Sequence, residues 1–170
     1  TTHVTEIVTT ISSSGDSVFG DSVSDSHRFI GNIIVGKSDN TIDELALCSY
    51  SSILGGQDNE ISGASTYSTI AGGDNNFIIG SPGGDTGDCN IIGAGEDNAV
   101  SASQATMIGA GFNNHITQSD HSFIGAGHTN RLIWFSRYSM IGAGVYNTIA
   151  SSSHYSIIGS GHTNLIDGST

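Results

Sequence analysis

The sequence predicts an all-β fold, a parallel β-solenoid of about eight turns with 16–17 residues in each, and three observations lead to it. The first is a repeat. Seven segments align on an asparagine (Asn59, Asn76, Asn98, Asn114, Asn130, Asn147 and Asn164) and share the pattern I-x-x-G-x-x-N-x-(I/L/V). The second is the period. The numbers of successive asparagines differ by 17, 22, 16, 16, 17 and 17. That is too short for a helix pair, which needs more than about 30 residues, and it suits one solenoid turn carrying two strands. The third is composition: 24 glycines, one proline and four lysines or arginines, with serine, threonine, isoleucine and asparagine in abundance. No stretch sustains the apolar spacing of a helix, whereas two-residue alternation recurs in every copy.

Taken in chain order, residues 1–26 stand outside the repeat. Val4-Thr5-Glu6-Ile7-Val8-Thr9-Thr10-Ile11 reads as a strand and Ser12-Ser13-Ser14-Gly15-Asp16 as a turn, so this segment is expected to be a cap or a junction. Residues 27–170 form the repeat domain. It opens with a looser copy, Ile34-Val35-Gly36-Lys37-Ser38-Asp39-Asn40-Thr41-Ile42. The longest interval, between Asn76 and Asn98, contains Gly80-Ser81-Pro82-Gly83-Gly84-Asp85-Thr86-Gly87, which is expected to be a surface loop.

Each phase of the repeat has a predicted direction. Six residues before the asparagine stands isoleucine in all seven copies, from Ile53 to Ile158, and two after it stands Ile, Val or Leu. These positions lie half a period apart, so they should meet from opposite walls and stack into two aliphatic columns. Seven before the asparagine the later copies carry Ile91, Met107, Phe123, Met140 and Ile157, next to small-residue bends such as Gly93-Ala94-Gly95 and Gly142-Ala143-Gly144. A strand apolar on both faces needs burial on both, and small residues allow close approach of another backbone. Identical chains about a three-fold axis are the expected cover. The strand after the asparagine, as in Thr148-Ile149-Ala150-Ser151-Ser152-Ser153, is expected to face water. The asparagine itself should hold a tight corner and stack into a hydrogen-bonded ladder.

Charge and motifs narrow the chemistry. Net charge is −12, and residues 1–99 hold 14 Asp or Glu against Arg28 and Lys37, whereas residues 100–170 balance Asp120 and Asp167 against Arg131 and Arg137. An acidic chain argues against nucleic acid as a partner. No apolar run of about 18 residues exists to span a membrane. Cys48 and Cys89 sit at different phases two turns apart, so they are expected to be buried, unbridged thiols. Gly80 to Gly87 lacks the following Lys-Ser/Thr of a phosphate cradle. His128 and His162 share a phase two turns apart, too far to share an ion within one chain, so no metal or other cofactor is expected. No nucleophile elbow or carboxylate pair stands out, and the chain is not expected to be an enzyme.

Units such as Ser122-Phe123-Ile124-Gly125-Ala126-Gly127-His128-Thr129-Asn130 and Ser139-Met140-Ile141-Gly142-Ala143-Gly144-Val145-Tyr146-Asn147-Thr148-Ile149 resemble the repeats of phage tail-fibre shafts and of trimeric autotransporter adhesin heads. Gly15-Asp16-Ser17-Val18-Phe19-Gly20-Asp21-Ser22 and Asp25-Ser26-His27-Arg28-Phe29-Ile30-Gly31-Asn32 are similar to segments of marine phage fibre proteins. The resemblance covers about residues 15–170. It implies a left-handed parallel β-roll or β-helix assembled as a homotrimer, in a virion tail fibre or on a bacterial cell surface, with host attachment or receptor binding as its task. A tailspike depolymerase is the enzymatic alternative, and an ice-binding solenoid fits less well because the regular columns are Ile, Gly and Asn. Should the chain contact a glycan or another host receptor, Arg131, Trp134, Phe135, Arg137 and Tyr138 are the candidates, since nowhere else do two bases and three aromatics gather. Covering a subunit seam is the competing role for these aromatics.

Overall fold

The computed structural model describes residues 33–36, 39–43, 48–80 and 88–168, and the expected N-terminal strand over residues 1–26 and most of the inserted loop (81–87) lie outside them. The described chain is sixteen short strands wound into two parallel sheets. One, sheet A, stacks β1 (Ile33–Ile34), β3 (Ser52–Ile53), β5 (Thr69–Ile70), β7 (Ile91–Ile92), β9 (Met107–Ile108), β11 (Phe123–Ile124), β13 (Met140–Ile141) and β15 (Ile157–Ile158). The other, sheet B, stacks β2 (Thr41–Ile42), β4 (Glu60–Ser62), β6 (Phe77–Ile79), β8 (Ala99–Ser101), β10 (His115–Thr117), β12 (Arg131–Ile133), β14 (Thr148–Ala150) and β16 (Leu165–Asp167). Eight stacked strands are separated by seven turns, one fewer than the number of sequence copies. At about 4.8 Å per turn the stack is about 34 Å tall.

The register repeats the sequence phase. Ile124 pairs with Ile108 below and Ile141 above, and Ile116 pairs with Val100 and Leu132. The isoleucine six before the asparagine and the aliphatic residue two after it are both fully buried from Ile53 to Ile149, so two continuous aliphatic columns form the core. A third, one-residue ladder runs between the sheets at the first corner, from Gln57 through Asp74, Glu96, Phe112, His128 and Val145 to His162.

At the corners the buried interior is polar, and its asparagines and serines are paired along the axis. The asparagines from Asn40 to Asn147 are buried, and each amide from Asn59 to Asn147 bonds to the turn below and the turn above. Asn114 illustrates the pattern. Its backbone N–H and its Nδ2 both donate to Oδ1 of Asn98 below, at 3.1 and 3.0 Å. The same Nδ2 donates to Gly127 O above at 2.9 Å, and Asn114 Oδ1 accepts from the N–H and Nδ2 of Asn130. The ladder runs unbroken from Asn40 to Asn164. It crosses the long interval between Asn76 and Asn98 without a change in geometry.

Three details differ from the sequence reading. Left-handed backbone belongs to the residue before the asparagine, such as Asp97 (φ 57°) or Asn113 (φ 55°), because the asparagine must aim its side chain inward. The serines at the second corner are not all outward: Ser103, Ser119, Ser136 and Ser153 are buried, as is Ala150. Ser119 N–H donates to Ser103 Oγ at 3.0 Å and Ser136 N–H to Ser119 Oγ at 3.2 Å. Corner N–H groups miss the strand ladder and would be orphaned inside, so a hydroxyl from the turn below accepts them. The third detail concerns the thiols. Cys48 is buried in the core, and burial pushes its thiol above the usual range with help from Asp43 and Asp88. Cys89 is exposed, because it occupies an outward phase at the second corner; the two are not bridged.

Candidate functional site

The outer surface divides by corner and face. On sheet A the residues seven before each asparagine point outward: Ser52 and Thr69 at the acidic end, then Ile91, Met107, Phe123, Met140 and Ile157. Ile91, Met107 and Ile157 are exposed and Phe123 and Met140 half-buried, against the columns of Gly and Ala beside them. On sheet B the outward residues include Glu60, His115, Arg131 and Thr148.

Of the five residues singled out by sequence, four gather at the second corner. Trp134 and Phe135 directly follow β12, and Arg137 and Tyr138 complete the turn toward β13. Arg131 opens β12 on the outer face of sheet B, roughly 10 Å along the strand from Trp134 at about 3.3 Å per residue. The corner is pinned above and below. Phe135 N–H donates to Gln118 O at 2.8 Å, Tyr138 N–H to Asp120 O at 3.1 Å, and Trp134 O accepts from Ser152 N–H at 2.9 Å. Trp134, Phe135 and Tyr138 are 57%, 48% and 50% exposed.

Neighbouring turns supply partners that a linear reading of residues 131–138 misses. Asp120, one full turn before Arg137 in the chain, binds its Nε at 3.1 Å and also accepts Gln104 N–H at 3.0 Å. Arg137 lies 5.9 Å from the Phe135 ring centroid. Tyr138 is stacked between His121 and Tyr155, with centroids 4.9 and 5.1 Å away and nearly parallel planes. All three occupy one repeat phase, so searching one period up and down the sequence would have found them.

The other corner carries a second aromatic series, Phe112, His128, Tyr146 and His162, in edge-on or tilted contact. Its lower continuation is polar, with Gln57 Nε2 donating to Asp74 Oδ2 at 3.1 Å. His128 and His162 are therefore ring-contact residues at a corner. Among the described residues no three His, Cys, Asp or Glu side chains are grouped to hold a metal ion, and no helix is long and apolar enough to cross a membrane.

One titrating group on sheet B responds to the site's bases. Burial lowers the pKa of His115 below its usual 6.5, Arg131 on the next strand lowers it further, and Asp97 opposes both. Its Nε2 lies 2.9 Å from Asn113 Oδ1. A base whose folded pKa is depressed resists protonation only in the folded state. Its contribution is therefore complete above pH ~6.5 and is lost as pH falls from there through the folded pKa. Arg131→Gln should move the His115 titration upward and narrow that window, as read from imidazole proton shifts in an NMR titration; an unmoved or lower pKa would show that Arg131 does not act on it.

The sequence matches no protein-family model and no curated protein.

Proposed function

We propose that the chain is a structural and adhesive module of a trimeric surface fibre, of the kind that carries a phage or a bacterial cell to its host. The outward apolar column of sheet A supports this reading. A solenoid has a complete core in its two inner columns, so Ile91, Met107, Phe123, Met140 and Ile157 add nothing to that core. They extend over five successive turns at a fixed spacing, next to bends of Gly and Ala that let another backbone approach. A second copy carries the same spacing, so its column can match rung for rung, and a closed ring of copies leaves no such face in water. The outer face of sheet B, where polar and apolar residues are mixed, and its corners are then the surface offered to a host.

The expected mass in solution is about 52 kDa, three times the 17.4 kDa of one chain. Ala143→Trp, in the bend beside Met140, and Met140→Glu, on the strand itself, should each give a folded species of monomer mass that melts at lower temperature. Mass photometry and circular dichroism on the three proteins check this. A stable wild-type monomer sinks the reading, and so do variants that keep both the trimer mass and the melting temperature.

A further inference from the structure

We propose that the corner formed by Trp134, Phe135, Arg137 and Tyr138, together with Asp120, is a binding site for a carboxylate-bearing glycan. This rests on reading the chain as an attachment module and names the class of its receptor.

The backbone carries the first part of the argument. Trp134 (φ 57°), Phe135 (φ 64°) and Tyr138 (φ 57°) all sit in left-handed conformation. That conformation is strained for a non-glycine residue. Other turns meet the same need with smaller residues: Gly63 and Ala64 in one, Ser151 and Ser152 in another. Large aromatics are thus not required by the corner, and being about half exposed they add little to the core. Adjacent strained, exposed rings held by hydrogen bonds on both sides form a preorganised ledge.

Chemistry carries the second part. Pyranose rings present C–H faces that stack on aromatic planes, and their hydroxyls need a donor and an acceptor side by side. Arg137 and Asp120 provide that pair at 3.1 Å. Arg137 meets Asp120 through Nε and its side chain is 46% exposed, so its guanidinium is accessible to a planar carboxylate. The site also lies on the charge-balanced half of the chain, away from the acidic end. It lies at the corner that joins sheet B to sheet A, beside the apolar column rather than within it, since that column is on the strands of sheet A.

The test is a glycan array of sialylated, uronate-bearing and neutral chains, probed with the intact protein and with the double variant Trp134→Ala and Arg137→Ala. The small residues Gly63 and Ser151 occupy the Trp134 phase in equivalent corners, so the variant should fold and assemble. Wild type should bind chains bearing a carboxylate at least tenfold better than neutral ones. The double variant should lose that binding at least tenfold with unchanged mass and melting, and Arg137→Lys should lose part of it. Binding to no carboxylated chain, or unchanged binding by the double variant, overturns the proposal. Loss of assembly in the double variant also overturns it, by making the ledge a subunit seam. Glycan binding by a monomer would leave this site standing and remove the trimer; a trimer that binds nothing would do the reverse.

Discussion

Asn114→Leu is expected to lower the unfolding free energy by about 4 kcal/mol, or the melting temperature by roughly 10 °C. Leucine is close in volume, so the effect is one of hydrogen bonding. The change removes three bonds donated by Nδ2, to Asn98 Oδ1, Ala110 O and Gly127 O, and two accepted by Oδ1 from Asn130. The Asn98 and Asn130 groups left behind are buried, and an unsatisfied buried group costs about 1–3 kcal/mol. Asn114→Asp sharpens the test. Its second oxygen would face three acceptors, so the carboxyl pKa must rise. A raised folded pKa gives stability that is present at low pH and is lost as pH climbs through it. The aspartate variant should therefore recover part of its loss on acidification, whereas the leucine variant should not. Chemical denaturation at pH 4 and pH 8 reads both; a leucine variant within about 0.5 kcal/mol of wild type would show the ladder to be incidental.

Gly127→Ala is expected to cost about 3 kcal/mol or more, for one methyl group. A Cβ at this position would meet Gly144 O on the next turn at 2.1 Å and Asn130 Nδ2 at 2.6 Å, and the backbone φ of 113° is one that side chains rarely adopt. Only separation of the two turns relieves the contact. That breaks the bond from Asn130 Nδ2 to Gly144 O. Gly72 is the matching control. Nothing lies within 4 Å of a Cβ built there, and the equivalent residue in four later turns is alanine. Gly72→Ala should stay within about 0.5 kcal/mol of wild type, the usual range for a surface change that touches nothing. If both substitutions behave alike under thermal and denaturant unfolding, the turns are looser than this geometry requires.

The columns of the core were legible because a fixed period names the phase of every residue, and like phases must stack. Ile53 to Ile158 and their partners on sheet B needed no further information. Serine was harder. Ser136 and Ser153 have the composition of a wet surface, and only the position of orphaned corner N–H groups explains why they turn inward. Cys89 was misread for a related reason, since a cysteine inside a repeat suggests burial but its phase is the outward one shared by Tyr67 and Tyr138. At the ledge, Trp134, Phe135, Arg137 and Tyr138 could be picked out by composition. Arg131 came with them only through adjacency along the chain, and Asp120, the partner of Arg137, was hidden because it is a full turn away.

The asparagine ladder has a mechanical consequence. Every bond it makes between turns runs along the solenoid axis, so tension applied along that axis loads the rungs in series rather than together. A turn at the end of the stack can then peel away alone, after which the next bears the force. Each release frees one repeat, about 55 Å of contour, while shortening the rod by only about 4.8 Å. A stretched module would therefore lengthen in steps of about 50 Å and dissipate work at each one. It would act as a shock absorber whose capacity is set by the number of repeats, not by the strength of any single one.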